Sequence, residues 1–188
     1  MTSLDARVFL ALHDTLAHGP WFVLFVTLTV IGSGWGSFLI VPLFAAPRTR
    51  RFARSLALVL IATAVIVFAL KKLVARARPC SSLEGVHALV FSAPSDFSFP
   101  SGHAAGSFAF AMFAAIVLVR TDAVGRVRLL RIAGAAALVL VAIGVALSRI
   151  ALGVHFPGDV LAGALLGTSI AAVGARLHLS RSGTLREP

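Results

Sequence analysis

The sequence predicts an all-α membrane protein, a polytopic bundle of about five transmembrane helices behind an N-terminal amphipathic helix. Three observations lead there. The 188 residues are 59% hydrophobic, well above the ~45–50% usual for soluble domains. Only seven residues are acidic. The apolar residues are gathered into uncharged stretches close to the ~17–25 residues that cross a bilayer as a helix.

The elements follow in chain order. Residues 1–20 carry Leu4, Val8, Leu12 and Leu16 at four-residue intervals, with Phe9 beside them. That stripe fits an amphipathic helix lying in the membrane interface, and equally a helix packed on the bundle. The opening residues lack a basic segment followed by a short apolar core, so no secretory signal peptide is expected. Spans are expected at residues 21–46, 52–70, 103–119, 129–147 and 160–175, and residues 180–188 form a polar tail. The whole chain, 1–188, reads as a single integral membrane domain without internal repeats. Small-residue seams, "GAAA" at Gly134 and "GALLG" from Gly163 to Gly167, would let helices approach closely. The lone Cys80 excludes an internal disulfide.

The net charge of +10 suggests nucleic acid until its distribution is read. Arg48, Arg50, Arg51 and Arg54 lie before or at the very start of the second span, and Arg120, Arg126, Arg128 and Arg131 lie between the third and fourth or at the very start of the fourth. Arg176, Arg181 and Arg186 follow the fifth. With five spans these eleven arginines share one side, which the positive-inside rule makes cytoplasmic. No nucleic-acid partner is expected. Lys71, Lys72, Arg76, Arg78 and Arg149 sit at the opposite ends of the helices, against that rule, and need a local reason.

On that outer side polar residues gather in three stretches. In "KKLVARARP", Lys71 and Arg78 are seven residues apart, two turns on one helix face, and Pro79 is expected to end the helix. Two cations on one face repel unless an anion lies between them. Lys72 or Arg76 alone reads as a residue snorkelling to the interface. In "FSFPSGHAAG", Ser101 is a natural N-cap, the new helix points free N–H groups outward, and Gly102 would admit an anion close to the backbone. Capping does not explain His103. In "SRIALGVHFPGD", His155 and Asp159 are four apart, and Pro157 can start a helix whose first turn carries Asp159. That pair fits a carboxylate orienting a nucleophilic imidazole, and also a structural brace across a turn. Arg149 adds a third cation. Hairpin connections bring all three stretches to one membrane face, where cations, N–H groups, two histidines and a carboxylate suit a phosphoryl group.

K-x6-R-P from Lys71 to Pro79, P-S-G-H from Pro100 to His103 and S-R-x5-H-x3-D from Ser148 to Asp159 resemble the type 2 phosphatidic acid phosphatase (PAP2) superfamily, with no motif position substituted. Size and hydropathy are similar to its small bacterial membrane lipid-phosphate phosphatases. The resemblance implies that His155 attacks phosphorus to form a phosphohistidine and that Asp159 orients it. His103 would protonate the leaving group and then activate water, the phosphoryl acceptor. Lys71, Arg78, Ser101, Gly102 and Arg149 would bind phosphate oxygens. It implies no cofactor and no metal, and the residues agree, since a two-metal site wants several convergent carboxylates. Beyond Asp159 the outer side offers only the scattered Asp5, Asp14, Glu84 and Asp96.

The expected substrate is a membrane lipid phosphate or diphosphate, with undecaprenyl diphosphate first and phosphatidylglycerophosphate or phosphatidic acid next. The motifs read only the phosphate and do not choose among these lipids. The expected place is a bacterial-type plasma membrane, with the active site facing the periplasm or exterior. Residues 80–99 form a loop long enough to act as a lid, in which "VHALVF" could dip into the interface and His87 reads as a surface residue. A headgroup transporter or a non-catalytic scaffold would use outer cations but has no need of the His155–Asp159 spacing. A soluble haloperoxidase does not fit five apolar spans.

Overall fold

A computed structural model describes residues 3–33, 40–90 and 94–181. Its helices are α1 (Leu4–Leu16), α2 (Trp21–Ile31), α3 (Pro47–Val74), the single turn α4 (Pro79–Ser82), α5 (Gly102–Arg120), α6 (Gly125–Ala151) and α7 (Pro157–Ser180). Four of them, α3 with α4 appended, α5, α6 and α7, are long and apolar enough to cross a membrane. Bilayer hydrocarbon cannot satisfy open backbone polar groups, so helices are the form these apolar stretches take. Leu58, Ile61, Val65, Phe68, Leu140, Leu161, Leu165 and Val173 remain exposed along them, an apolar surface suited to lipid.

The first expected span departs from the reading at residues 21–46. Helix α2 covers only Trp21–Ile31, about 17 Å of rise, roughly half of a ~30 Å hydrocarbon core. It stops at Gly32, a poor helix former, and residues 34–39 of that stretch lie outside the described residues. Helices α1 and α2 meet at a 115° bend, and together they make up the fifth candidate span.

Helix α1 packs on α6 and α7. Its buried face is Ala6, Phe9 and His13, continued by Ala17. The leucine stripe divides: Leu4, 69% exposed, and Val8, 41%, lie open, while Leu12 packs half-buried against the core beside Phe9. Phe9 stacks on His13 and meets Phe156 edge-on, with ring centroids 5.2 and 5.5 Å apart. Of the two readings of this helix the structure shows the one packed on the bundle, with Phe9 its most deeply buried side chain.

Helix α5 is the centre of the bundle, packed most extensively on α7 and α6 and also on α3. One core cluster lies at its N-terminal end, with Phe9, Val86, Ala104, Ala146, Ile150, Phe156 and Val160. A second lies at its other end, with Leu56, Val59, Ala109, Phe113, Ala171 and Ala175. Between them α5 and α7 touch backbone to backbone. A Cβ on Gly163 would stand 2.5 Å from the Ser101 carbonyl oxygen, and one on Gly167 would stand 2.1 Å from that of Ala105. The expected seam at Gly163 and Gly167 is therefore a contact. The one expected at Gly134 is not, because a Cβ there meets nothing within 4 Å.

Gly167→Ala is expected to force α7 off α5 and cost roughly 1–3 kcal/mol. Gly134→Ala is expected to be neutral or slightly stabilising through helix propensity. Thermal unfolding of the detergent-solubilised protein checks both, and an unchanged midpoint for Gly167→Ala would contradict the backbone contact.

Candidate active site

The first stretch ends differently from its sequence pattern. Helix α3 stops at Val74, where Ala75 takes a left-handed φ of 50° and its N–H returns to the Lys71 carbonyl at 3.0 Å. Pro79 does not end the helix; it begins α4. Lys71 and Arg78 converge nonetheless, because an anion does lie between them. The Asp96 carboxylate is 3.0 Å from Lys71 Nζ and accepts from Arg78 Nη2 at 2.6 Å. Lys71 also donates to the Phe97 carbonyl, and Arg78 Nε to that of Asp96 at 2.9 Å. Arg78 is buried, and its Nη1 donates to the Val154 carbonyl at 2.8 Å and lies 3.0 Å from His155 Nε2. Lys72, as expected of an interfacial lysine, lies outward over the Phe68 ring.

The second stretch is an N-cap. Ser101 Oγ accepts from the Ala104 N–H at 3.5 Å, and its own N–H donates to the Asp159 carbonyl at 3.0 Å. That last bond joins the start of α5 to the first turn of α7. Gly102 opens α5 on the wall of a cavity, where a Cβ would meet only Val67, at 3.6 Å. His103 follows, within electrostatic range of Arg149, His155, Arg78 and Lys71.

The third stretch closes the site. Gly153, at a φ of +76°, turns the chain out of α6 where a side chain would collide with the His87 carbonyl. The N–H groups of Val154 and His155 both reach the Arg149 carbonyl at 3.2 Å. Arg149 itself is buried, donates from Nη1 to Thr29 Oγ1 on α2, and keeps Nε without a partner among the described residues. Pro157 starts α7 as expected, and Asp159 reaches back to accept the Phe156 N–H at 2.9 Å.

The histidine–carboxylate pair is assembled through a third group. His155 Nδ1 is 3.7 Å from Asp159 Oδ2, beyond hydrogen-bond reach. Ser98 stands beside both, its hydroxyl donating to Asp159 Oδ2 at 2.5 Å and lying 3.4 Å from His155 Nδ1. Arginine can only donate, so the nitrogen facing Arg78, Nε2, is the unprotonated one, and the ring proton sits on Nδ1 facing Ser98. The other carboxylate oxygen of Asp159 accepts from Arg76 Nη1 at 2.7 Å. Arg76 therefore does not snorkel.

Burial pushes the His155 ring down to about 4; the Asp159 carboxylate opposes this and the charge on Arg78 adds to it. The ring is therefore neutral near pH 7. Burial raises the Asp96 carboxyl, but hydrogen bonds and charge from Lys71 and Arg78 outweigh it and hold the group below the usual carboxylate range. The structure thus gathers Lys71, Arg78, Ser101, Gly102, His103, Arg149, His155 and Asp159 in one place. Sequence reasoning missed Ser98, Thr29 and the anchoring roles of Asp96 and Arg76. Ser98 shares a short stretch with the P-S-G-H motif and could have been suspected there, whereas Thr29 carries no local signal. The loop after α4 is less free than a lid: Val86 is buried in the outer core cluster and the Leu89 N–H meets the Leu152 carbonyl at 3.3 Å. Its residues 91–93, including the end of "VHALVF", lie outside the described residues, and His87 is exposed as expected. Among the described residues no group of three or more His, Cys, Asp and Glu side chains is placed to hold a metal ion.

Comparison with known proteins agrees with this geometry. A family model described as the PAP2 superfamily matches residues 52–182. Decaprenylphosphoryl-5-phosphoribose phosphatases of two Mycobacterium tuberculosis strains, CDC 1551 / Oshkosh and ATCC 25618 / H37Rv, are each 35% identical over 143 residues, 74% of this chain and 69% of theirs. The crystal structure of Aquifex aeolicus LpxE superposes with a TM-score of 0.72 at 30% identity, over 93% of this chain and 96% of that one. The first transmembrane PAP2 type phosphatidylglycerolphosphate phosphatase from Bacillus subtilis gives 0.75 at 24% identity, over 97% and 86%, a likeness of fold.

The His155 imidazole is expected to stay neutral as pH falls to about 5 and to protonate only on passing about 4. The unfolded chain takes up that proton from about pH 6.5, so native stability falls between these values as pH drops. Histidine ¹⁵N chemical shifts followed through an acid titration check this, and a midpoint near 6.5 would mean that the ring is solvated.

Proposed function

The chain belongs to the PAP2 superfamily of membrane lipid phosphatases, and we propose that it removes a terminal phosphate from a polyprenyl-anchored lipid through a phosphohistidine on His155. The observation that carries this reading is the position of His155 Nε2. It is an unprotonated imidazole nitrogen 3.0 Å from the buried Arg78, whose partner Asp96 lines an apolar cavity together with Lys71. That cavity, of about 630 Å³, lies among α2, α3, α5 and α6, with Leu60, Val67, Phe110 and Leu138 on its walls and Lys71, Asp96 and Gly102 at its polar end. A lipid tail held there brings its phosphate to the cations.

The chemistry then follows from which atoms are free. A phosphate displaces Asp96 from Lys71 and Arg78 and takes Arg149 as a third cation. As Arg78 Nη1 turns from His155 Nε2 to a phosphate oxygen, the lone pair it releases attacks phosphorus, and the bond to the leaving oxygen breaks as His103 supplies its proton. His103, now neutral, takes a proton from water, whose oxygen attacks phosphorus and breaks the N–P bond, and inorganic phosphate leaves. The charge that develops on the His155 ring is met by Asp159 through Ser98. Asp159 is committed to Arg76, Ser98 and the Phe156 N–H, and the displaced Asp96 alone does not make the several convergent carboxylates that a two-metal site wants. No metal is needed in this scheme.

The polyprenyl anchor is supported by the mycobacterial relative, whose name specifies a decaprenyl substrate with a phosphate on ribose. A sugar phosphomonoester on a polyprenyl carrier and undecaprenyl diphosphate both satisfy the site; phosphatidylglycerophosphate and phosphatidic acid are the second reading. The arginines of the α3 and α6 N-termini and of the α5 and α7 C-termini lie at the end of the bundle opposite the site, which supports an active site facing outward.

Acid-labile ³²P from substrate is expected on a peptide containing His155 in quenched wild-type enzyme, to be absent in His155→Ala, and to persist longer in His103→Ala. Phosphate release should survive excess EDTA and be fastest with the prenyl lipids in a panel that also holds phosphatidylglycerophosphate and phosphatidic acid. Label on His103, or activity lost to EDTA and restored by magnesium, would overturn the mechanism.

Orientation is tested separately. Single cysteines at Ser81 and Ser95 are expected to react with an impermeant reagent added to intact cells, and those at Thr49 and Gly125 are not. The reverse pattern would place the site on the cytoplasmic side.

A further inference from the structure

Arg76 occupies one of the unspecified positions of the K-x6-R-P motif, and Asp5 lies ahead of the residues matched by the family model. Neither faces the phosphate cations. The left-handed turn at Ala75 releases the chain from α3, and Arg76 reaches the side of Asp159 away from His155. Its two terminal nitrogens hold two carboxylates. Nη1 donates to Asp159 Oδ1 at 2.7 Å, and Nη2 donates to Asp5 Oδ2, also at 2.7 Å.

Asp5 closes the circuit. Its other oxygen accepts the Gly158 N–H at 2.9 Å, in the same first turn of α7 that carries Asp159. The approach is close, since a Cβ on Gly158 would stand 2.9 Å from Asp5 Oδ2. The Arg76 guanidinium lies over the Phe156 ring at 4.2 Å, and the buried Phe9 of α1 meets that ring edge-on. Phe156 is thus held between α1 and Arg76. Asp159 is wholly buried, His155 beside it is neutral near pH 7, and Arg76 is the cation ion-paired with it. A carboxylate with one oxygen fixed by a bridged guanidinium can only present the other to Ser98 and His155.

We propose that Arg76 is a positioning residue for the reaction, acting through Asp159, and that α1 completes the active site by bracing Arg76 with Asp5. This rests on the assignment of His155 as nucleophile. The geometry gives Arg76 no contact with the phosphate, so its loss is felt in the rate and not in phosphate binding. Misplacing a reacting group by about 1 Å costs on the order of a hundredfold, and a loosened Asp159 is expected to cost at least about tenfold.

The test compares purified full-length wild type with Arg76→Gln, Arg76→Lys, Asp5→Asn and the Asp5→Asn/Arg76→Gln double variant, using p-nitrophenyl phosphate as substrate and inorganic phosphate as competitive inhibitor. Arg76→Gln is expected to lower kcat about tenfold or more with KM and the phosphate inhibition constant within about twofold. Arg76→Lys should recover part of the loss. Asp5→Asn should cost less than Arg76→Gln and add nothing to it in the double variant, as two members of one network do. An unchanged kcat in Arg76→Gln overturns the positioning role. A phosphate inhibition constant that rises with the loss of rate makes Arg76 a phosphate ligand instead and equally overturns it. Fully additive Asp5→Asn and Arg76→Gln effects overturn the part assigned to α1. Should Arg76→Gln fail to fold, Arg76→Lys and Asp5→Asn carry the same comparison of kcat against phosphate inhibition. Wild-type enzyme without label on His155 would instead refute the phosphohistidine reading itself.

Discussion

A carboxylate held away from water in a membrane protein has to be neutralised and hydrogen-bonded, or it does not stay ionised. Asp159 is that group, with no exposed surface. Its partners come from separate parts of the chain: Arg76 after α3, Ser98 ahead of α5, and the Phe156 N–H at the start of α7. Its backbone carbonyl also accepts the Ser101 N–H. Satisfying this one residue therefore fixes the site ends of three spans relative to one another, and Asp5 adds α1 through Arg76.

That arrangement needs α5 and α7 at a backbone separation which side chains would not permit. Gly163 and Gly167 supply it, each pressed against a carbonyl of α5. The contact lies in the same helices that carry His103 and Asp159, so small-residue packing within the membrane sets the distance between their two polar stretches. The half of the bundle away from the site, around Phe113 and Leu56, is ordinary apolar packing. The other half is polar where it faces the site and apolar where it meets α1.

Charge organises the remainder. Lys71, Arg78 and Arg149 would repel one another at one face without an anion, and in the structure Asp96 holds the first two. Arg149 is steadied by Thr29 of α2 and keeps one buried donor without a partner among the described residues. A phosphate answers both conditions, since it supplies the charge that Asp96 now provides and offers oxygens to an unsatisfied guanidinium. The apolar cavity ending at Lys71 and Gly102 lies against these charges, as the proposed lipid substrate requires.

The sequence by itself determined the spanning helices α3, α5, α6 and α7, the three polar stretches and their meeting at one face. It could do so because hydropathy and motif spacing are local properties: a run of uncharged residues, or a Pro157 with Asp159 two places on, carries its meaning within a few turns of helix. It left α1 open between the membrane interface and the bundle, which the packing of α1 on α6 and α7 decided, and it overran α2, which ends at Ile31 before Gly32. Tertiary structure alone decided that Asp96 bridges Lys71 and Arg78, that Ser98 stands between His155 and Asp159, that Thr29 meets Arg149, and that Asp5 and Arg76 brace the carboxylate. The Ser98–Asp159, Thr29–Arg149 and Asp5–Arg76 contacts join residues 61, 120 and 71 positions apart. Such pairings are set by which helix faces which, and a buried polar group takes whatever partner that packing brings within reach.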